Sequence, residues 1–162
     1  MRMTTLAAVA LIAVAGACAH KSSRADPTRP LAGSTSSKSV VGRWVLLSLV
    51  RNGEDLTDRV RRASASTYYT FNVDGTFRIM RGDSVAETGR WSQDTTSSPM
   101  TFDHIPDVDG NPGPYVPGIF AVSGDTLTVS LKGPNPQHRH PTQFRSILAD
   151  SSWLLVYRRA PQ

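Results

Sequence analysis

The segment that most constrains the fold is STYYTFNVDGTFRIM, residues 66–80. It is rich in aromatic and β-branched residues, and Tyr69, Phe71 and Val73 alternate with Tyr68, Thr70 and Asn72, so one face is apolar and the other more polar. Successive side chains of a strand point to opposite faces, so this alternation predicts a strand with one buried face. Asp74-Gly75 then suits the positive φ angles that a tight hairpin turn requires. The segment is therefore predicted to form an antiparallel β-hairpin.

Short runs of the same kind recur through the rest of the chain, separated by turn signals. Their short connections favour antiparallel pairing between neighbours. The segment GEDLTDRVRRASAS, residues 53–66, is predicted to contain one short helix. The predicted fold is all-β, a small antiparallel up-and-down barrel of about eight strands, with an open sandwich as the alternative. The other strand segments are VVGRWVLLSLV (40–50), SVAETGRW (84–91), MTFDHI (100–105), the hairpin GIFAVSGDTLTVSL (118–131) and SSWLLVYRR (151–159).

Residues 1–17 have the pattern of a secretory signal peptide, with a positive start, an apolar run and small residues at the end. The run is shorter than the roughly 20 apolar residues that cross a bilayer. Cys18 is the only cysteine, and the small residues before it resemble the bacterial lipobox. That resemblance implies lipidation of Cys18 and anchoring to a membrane through the lipid. Cleavage without lipidation, which gives a soluble secreted protein, is the alternative.

The remaining chain is predicted to hold a tether and one domain. Residues 18–39 are rich in Ser, Ala, Pro and basic residues and read as a flexible tether, whereas residues 40–159 are long enough for one core. As a lipoprotein, the protein is expected in the bacterial outer membrane or the periplasm. The formal net charge is +5, but the arginines are scattered and not gathered in one stripe. Together with the export signal, this argues against a nucleic-acid partner.

Several motifs, in their order and spacing, resemble an uncharacterised bacterial lipocalin-like domain family found in planctomycete-type secreted proteins. The resemblance covers nearly all of residues 41–159 and implies a lipocalin-like barrel on an exported protein. The motifs that carry it are GRWVLLSLVRNGED, YYTFNVDGTFRI, GRWSQDTTSSPMTFDHIP, GIFAVSGDTLTVSL, HPTQFRS and WLLVYRR.

Gly42-Arg43-Trp44 also resembles the lipocalin signature on the first barrel strand. Gly42 lets the backbone enter the floor of the barrel closely, and Trp44 plugs that end. In lipocalins an arginine near the end of the chain lies across the tryptophan ring. This implies a structural role for Arg158, or for its neighbour Arg159.

The sequence contains only weak signals for a metal site, a catalytic site or a cofactor-binding site. His138 and His140 alternate on an extended segment, but a metal site needs a third ligand, and His104 is the only other histidine in the domain. We therefore expect no metal. No nucleophile elbow, Walker A motif or dinucleotide-binding glycine pattern is present, so we expect neither enzyme activity nor a cofactor.

The function predicted from the sequence is that of a monomeric binding module for a small hydrophobic or amphipathic ligand. An eight-stranded barrel is either just filled by its side chains or able to hold one small ligand. The alternative is therefore a barrel with a solid core that acts structurally or binds an envelope protein. The ligand-lining residues predicted from alternation are Tyr69, Phe71, Phe77, Ile79, Trp91 and Phe120.

Overall fold

A computed structural model describes residues 38–63, 67–133, 137 and 139–161. The predicted signal peptide, Cys18 and nearly all of the predicted tether lie outside these residues. The described elements are β1 (Gly42–Arg51), β2 (Glu54–Asp55), α1 (Thr57–Ala63), β3 (Thr67–Phe71), β4 (Thr76–Arg81), β5 (Ser84–Asp94), β6 (Met100–Val108), β7 (Asn111–Pro112), β8 (Val116–Ser123), β9 (Thr126–Leu131), a short 3-10 helix (Leu148–Asp150) and β10 (Trp153–Arg159).

The eight longer strands close into one antiparallel barrel. Their order is β1-β3-β4-β5-β6-β8-β9-β10, and β10 pairs back with β1 from Trp44↔Arg159 to Arg51↔Trp153. The two-residue strands β2 and β7 only extend β1 and β6. Strands that are neighbours in the chain are therefore neighbours in the barrel, which is the up-and-down arrangement. The predicted fold, a small all-β barrel with one short helix, is confirmed.

The barrel is closed at the end where β1 begins and β10 ends. Trp44 is fully buried there, and its indole Nε1 donates a hydrogen bond of 2.7 Å to the carbonyl of Val40. Val40 is also fully buried, and its backbone N–H donates to Oε1 of Gln93 over 3.0 Å. The chain before β1 thus crosses this end and is held from two sides. We call this closed end, formed by Val40, Gly42 and Trp44, the barrel floor.

Two glycines allow close approaches that a side chain would prevent. Gly42 has a φ of +131°, and a Cβ there would lie 2.7 Å from Nη1 of Arg159. At Gly89 a Cβ would lie 2.2 Å from the carbonyl oxygen of Ile105 and 2.6 Å from the ring of Phe77. Because Gly89 has no side chain, the Phe77 ring can rest directly on β5.

Helix α1 lies outside the barrel against the part of β1 that β3 does not reach. β1 and β3 pair only as far as Val45↔Tyr68. Further along β1, Nη2 of Arg61 donates to the carbonyl of Leu47 over 2.7 Å, and the backbone N–H of Leu49 donates to Oγ1 of Thr57 over 3.0 Å. Side chains of α1 therefore satisfy backbone groups that a barrel strand would otherwise pair.

The structure departs from the sequence pattern at the first hairpin. The alternation places Val73 on the buried face, but β3 ends at Phe71, and Val73 is 88% exposed in the turn.

Within the described part of the chain, no helix is long and apolar enough to cross a membrane.

Candidate functional site

The interior of the barrel contains a cavity of about 270 Å³ between the floor and the opposite, open end. We call it the barrel cavity. Its wall is mostly apolar, and three phenylalanine rings form its deeper side. The apolar residues that line it include Phe71, Phe77, Ile79, Phe102, Val116, Val129, Leu131, Trp153 and Leu155.

Four polar side chains project into this apolar interior and form one polar cluster: Tyr69, Glu87, His104 and Tyr157. Oε1 of Glu87 lies 3.0 Å from Nε2 of His104, whose side chain is only 14% exposed. The rings of Tyr69 and Tyr157 meet edge to face with centroids 4.7 Å apart, and their hydroxyl groups are hydrogen-bonded. This cluster therefore interrupts an otherwise apolar wall with hydrogen-bonding groups.

Burial dominates the electrostatics of the two tyrosines. Tyr157 is 3% exposed, and its burial, with the nearby Tyr69 as a smaller cause, raises the pKa of its hydroxyl well above 10.0. Burial also raises the pKa of Tyr69, although the hydrogen bond with Tyr157 opposes that shift. Both hydroxyls therefore stay protonated at neutral pH and present neutral hydrogen-bonding groups to the cavity.

Two cationic side chains line the cavity near its open end, Arg81 at the end of β4 and Lys132 just after β9. In the closed order of eight strands, β4 and β9 are four strands apart in either direction. Arg81 and Lys132 therefore belong to opposite walls of the barrel. The described part of the chain places no carboxylate within ion-pair distance of either side chain.

The structure separates the six predicted ligand-lining residues into two groups. Tyr69, Phe71, Phe77 and Ile79 line the barrel cavity. The other two pack in the core outside the cavity lining, and this corrects the prediction for Trp91 and Phe120. The indole Nε1 of Trp91 donates to the carbonyl of Thr76 over 2.9 Å, and Phe120 is 1% exposed.

Alternation identified residues that face inward, but depth along the barrel decides which of them meet open space. Trp91 and Phe120 face inward at levels where other side chains fill the interior. The signal for the residues that were missed was the same period of two. Phe102 and His104 share a face of β6, and Leu155 and Tyr157 share a face of β10.

The arginine over the floor tryptophan is Arg159. Its guanidinium carbon lies 4.3 Å from the centroid of the Trp44 ring, and Nη1 donates to the carbonyl of Val41 over 3.4 Å. This corrects the assignment to Arg158, which is exposed. Neighbouring residues on a strand point to opposite sides, so only Arg159 shares the inner face with Tyr157. Gly42 and Trp44 lie at the floor, where the signature placed them.

The histidines do not converge. His104 faces the cavity, whereas His140 lies against the outer side of the same strand, with Nε2 at 2.7 Å from Oδ1 of Asp103. His138 lies outside the described residues. In the described part of the chain, no three His, Cys, Asp or Glu side chains are grouped so as to hold a metal ion.

Asp103 forms a second polar group on the outer wall. Its carboxylate accepts hydrogen bonds from the Tyr115 hydroxyl and from Ser92 Oγ, the latter over 3.1 Å. Burial and the adjacent Asp103 carboxylate raise the pKa of Tyr115. These contacts attach the segment around His140 to the barrel, on the side of β6 that faces away from the cavity.

A groove of about 470 Å³ lies between α1 and the adjacent strands β1 and β3. Val45, Val60, Arg61, Tyr68 and Arg158 contribute to its lining, and among its described lining residues none is acidic. It is larger than the barrel cavity, but outward-facing residues such as Tyr68 and Arg158 form part of its wall. The barrel cavity lies inside the barrel and contains the polar cluster, and it is therefore the better candidate site.

No family model matches this chain, and no curated protein sequence matches it either. What the chain does must therefore be inferred from the geometry of its own barrel.

Proposed function

We propose that this chain is an envelope-anchored lipoprotein that holds one small hydrophobic or amphipathic molecule inside its barrel. The observation that carries the proposal is the barrel cavity of about 270 Å³, with its apolar wall, its polar cluster and the two cationic side chains near its open end. Ligand sites typically combine a concave apolar lining with a few polar groups that fix orientation. Burying the apolar part of a ligand against such a wall removes its surface from water, which favours binding.

The volume of the barrel cavity limits the size of the ligand. Its volume of about 270 Å³ lies just below the range of about 300–1,000 Å³ that is common for sites of drug-sized molecules. The cavity therefore suits a ligand at or below the small end of that size range.

The competing hypothesis is a solid barrel that acts structurally or binds an envelope protein. A solid barrel requires the interior to be filled by its own side chains, as it is around Trp44 and Phe120, which are almost fully buried. The cavity further along the barrel favours the binding hypothesis. The membrane anchor in the proposal rests on the lipobox resemblance at Cys18.

Native mass spectrometry of the protein, gently purified from its exporting host, tests the binding proposal. A reproducible added mass of a small molecule that is lost on organic extraction supports it. A bare polypeptide mass that stays unchanged after incubation with a mixture of lipids and small metabolites supports the solid barrel instead.

A further inference from the structure

We infer that the ligand of the barrel cavity is a small amphipathic monoanion, with its apolar part inside and its anionic group at the open end between Arg81 and Lys132. The class of molecule is that of a medium-chain carboxylate. This inference rests on the proposed binding function and adds the charge and the orientation of the ligand.

The first step is the charge of the cavity lining. Among the described residues that line the cavity, Glu87 is the single carboxylate, whereas Arg81 and Lys132 each bring a positive charge. With His104 neutral the lining has a net charge of +1, and with His104 protonated a net charge of +2. One negative charge on the ligand therefore reduces the imbalance, and a positive charge increases it.

The second step is that the acidic group already has a partner. Glu87 Oε1 is 3.0 Å from His104 Nε2, and the carboxylate is only partly exposed. A cationic ligand that uses Glu87 would have to compete with His104 and would also approach Arg81. Glu87 therefore serves a cationic ligand poorly.

The third step is that neither Arg81 nor Lys132 forms an ion pair within the described chain. Within the described chain, no carboxylate lies within 4.0 Å of the charged nitrogens of Arg81 or Lys132. They stand on opposite walls of the barrel and both line the same cavity, so they are the two cationic groups available to an anionic ligand there. Hydrogen bonds between charged partners are about twice as strong as neutral ones, and an arginine can bind a carboxylate through two of them.

Isothermal titration calorimetry with three probes of equal chain length tests the inference: octanoate, 1-octanol and octylamine. They differ only in their terminal group, so the apolar contribution to binding is nearly the same for each. We expect octanoate to bind the wild-type protein about tenfold more tightly than octanol, and octylamine to bind most weakly. Arg81→Gln and Lys132→Gln are expected to remove most of the preference for octanoate while leaving octanol binding unchanged.

Arg78→Gln is the matched control, because Arg78 lies on the same strand as Arg81 but does not line the cavity. It is expected to keep the wild-type preference. Equal or tighter binding of octanol or octylamine relative to octanoate would overturn the inference about charge while leaving the binding function supported. An unchanged octanoate preference in Arg81→Gln and Lys132→Gln would overturn the assignment of these two residues. Failure of all three probes to bind a folded protein would contradict the proposed function and this inference with it.

Discussion

Arg159 covers Trp44: the guanidinium carbon of the last residue of β10 lies 4.3 Å from the centroid of the indole at the start of β1. This contact joins the two ends of the described domain at the point where the barrel closes. Asp125 lies 3.9 Å from Nε of Arg159, at the edge of ion-pair distance, and is largely exposed, so water screens that pair, whereas the indole is fully buried and is the better-shielded partner. The contact therefore stabilises closure of the barrel.

Replacing this arginine measures the contribution of the contact. Arg159→Ala is expected to lower the free energy of unfolding by about 0.5–2 kcal/mol, since it removes the cation–π contact and the hydrogen bond to the Val41 carbonyl. Arg158→Ala, which alters an exposed neighbour on the same strand, is expected to change it by less than about 0.5 kcal/mol. Urea unfolding followed by tryptophan fluorescence checks both values. Equal losses in the two variants would contradict the assignment of Arg159.

The floor tryptophan is expected to be among the residues most important for stability. Trp44→Ala removes a fully buried side chain and should cost about 3–5 kcal/mol. Trp153→Ala is a useful comparison, because Trp153 also lies beneath an arginine, Arg51, but is only partly buried. Trp153→Ala should therefore lower the free energy of unfolding clearly less than Trp44→Ala does. A Trp44→Ala protein with the melting curve of the wild type would remove Trp44 from the core.

The two cavity tyrosines predict a loss of stability at alkaline pH. In the unfolded chain a tyrosine loses its proton near pH 10.0, whereas burial holds the pKa of Tyr157 well above that value in the folded protein. Above the unfolded pKa, the unfolded state binds fewer protons than the folded state, so the free energy of unfolding falls as pH rises. This contribution is fully present below pH 10.0 and is lost progressively above it.

Denaturant unfolding between neutral pH and about pH 11 checks this expectation. Tyr157→Phe cannot ionise at this position, so its alkaline decrease in stability should be less steep than that of the wild type. Tyr68→Phe is the matched control, since Tyr68 faces outward beneath Arg43, and it should keep the wild-type slope. A Tyr157→Phe slope as steep as the wild-type slope would show that the buried hydroxyl is not responsible.

The proposed lipid anchor at Cys18 can be tested by separating membranes from the soluble fraction of the cell. The wild-type protein should be found with membranes after cell fractionation, and Cys18→Ser should be found in the soluble fraction, because the thiol is where the lipid would be attached. Two or more acyl chains are needed for stable anchoring, so partial release would indicate a single chain. Identical distributions of the two proteins would contradict the lipobox interpretation.

The fold was largely predictable because its signals are local. The alternation around Phe71, the turn at Asp74-Gly75 and the short connections predict an antiparallel barrel without reference to distant contacts. The same alternation found four of the cavity-lining residues. It extended the first strand too far at Val73, since a turn residue can continue the pattern without belonging to the sheet.

What the sequence did not reveal depends on the level of each residue along the barrel axis. The alternation predicts an inward-facing side chain at Trp91 and Phe120 just as it does at Phe77, but these two lie where the interior is filled. Glu87 and His104 meet only because β5 and β6 are neighbours, although 17 positions separate them in the chain. The choice between Arg158 and Arg159 required the register of β10 on β1, which places Arg159 opposite Trp44.

Blocking the cavity from within tests the central proposal most directly. Val129 lines the barrel cavity and is 2% exposed, so the larger ring in Val129→Phe should occupy the space that a ligand needs. Thr128→Phe adds the same ring to the outer face of the same strand. In native mass spectrometry with octanoate, we expect the wild-type and Thr128→Phe proteins to carry the added mass and Val129→Phe to lose it. An equal added mass on Val129→Phe would contradict binding inside the barrel, and so would the absence of added mass on the wild type with octanoate, 1-octanol and octylamine alike.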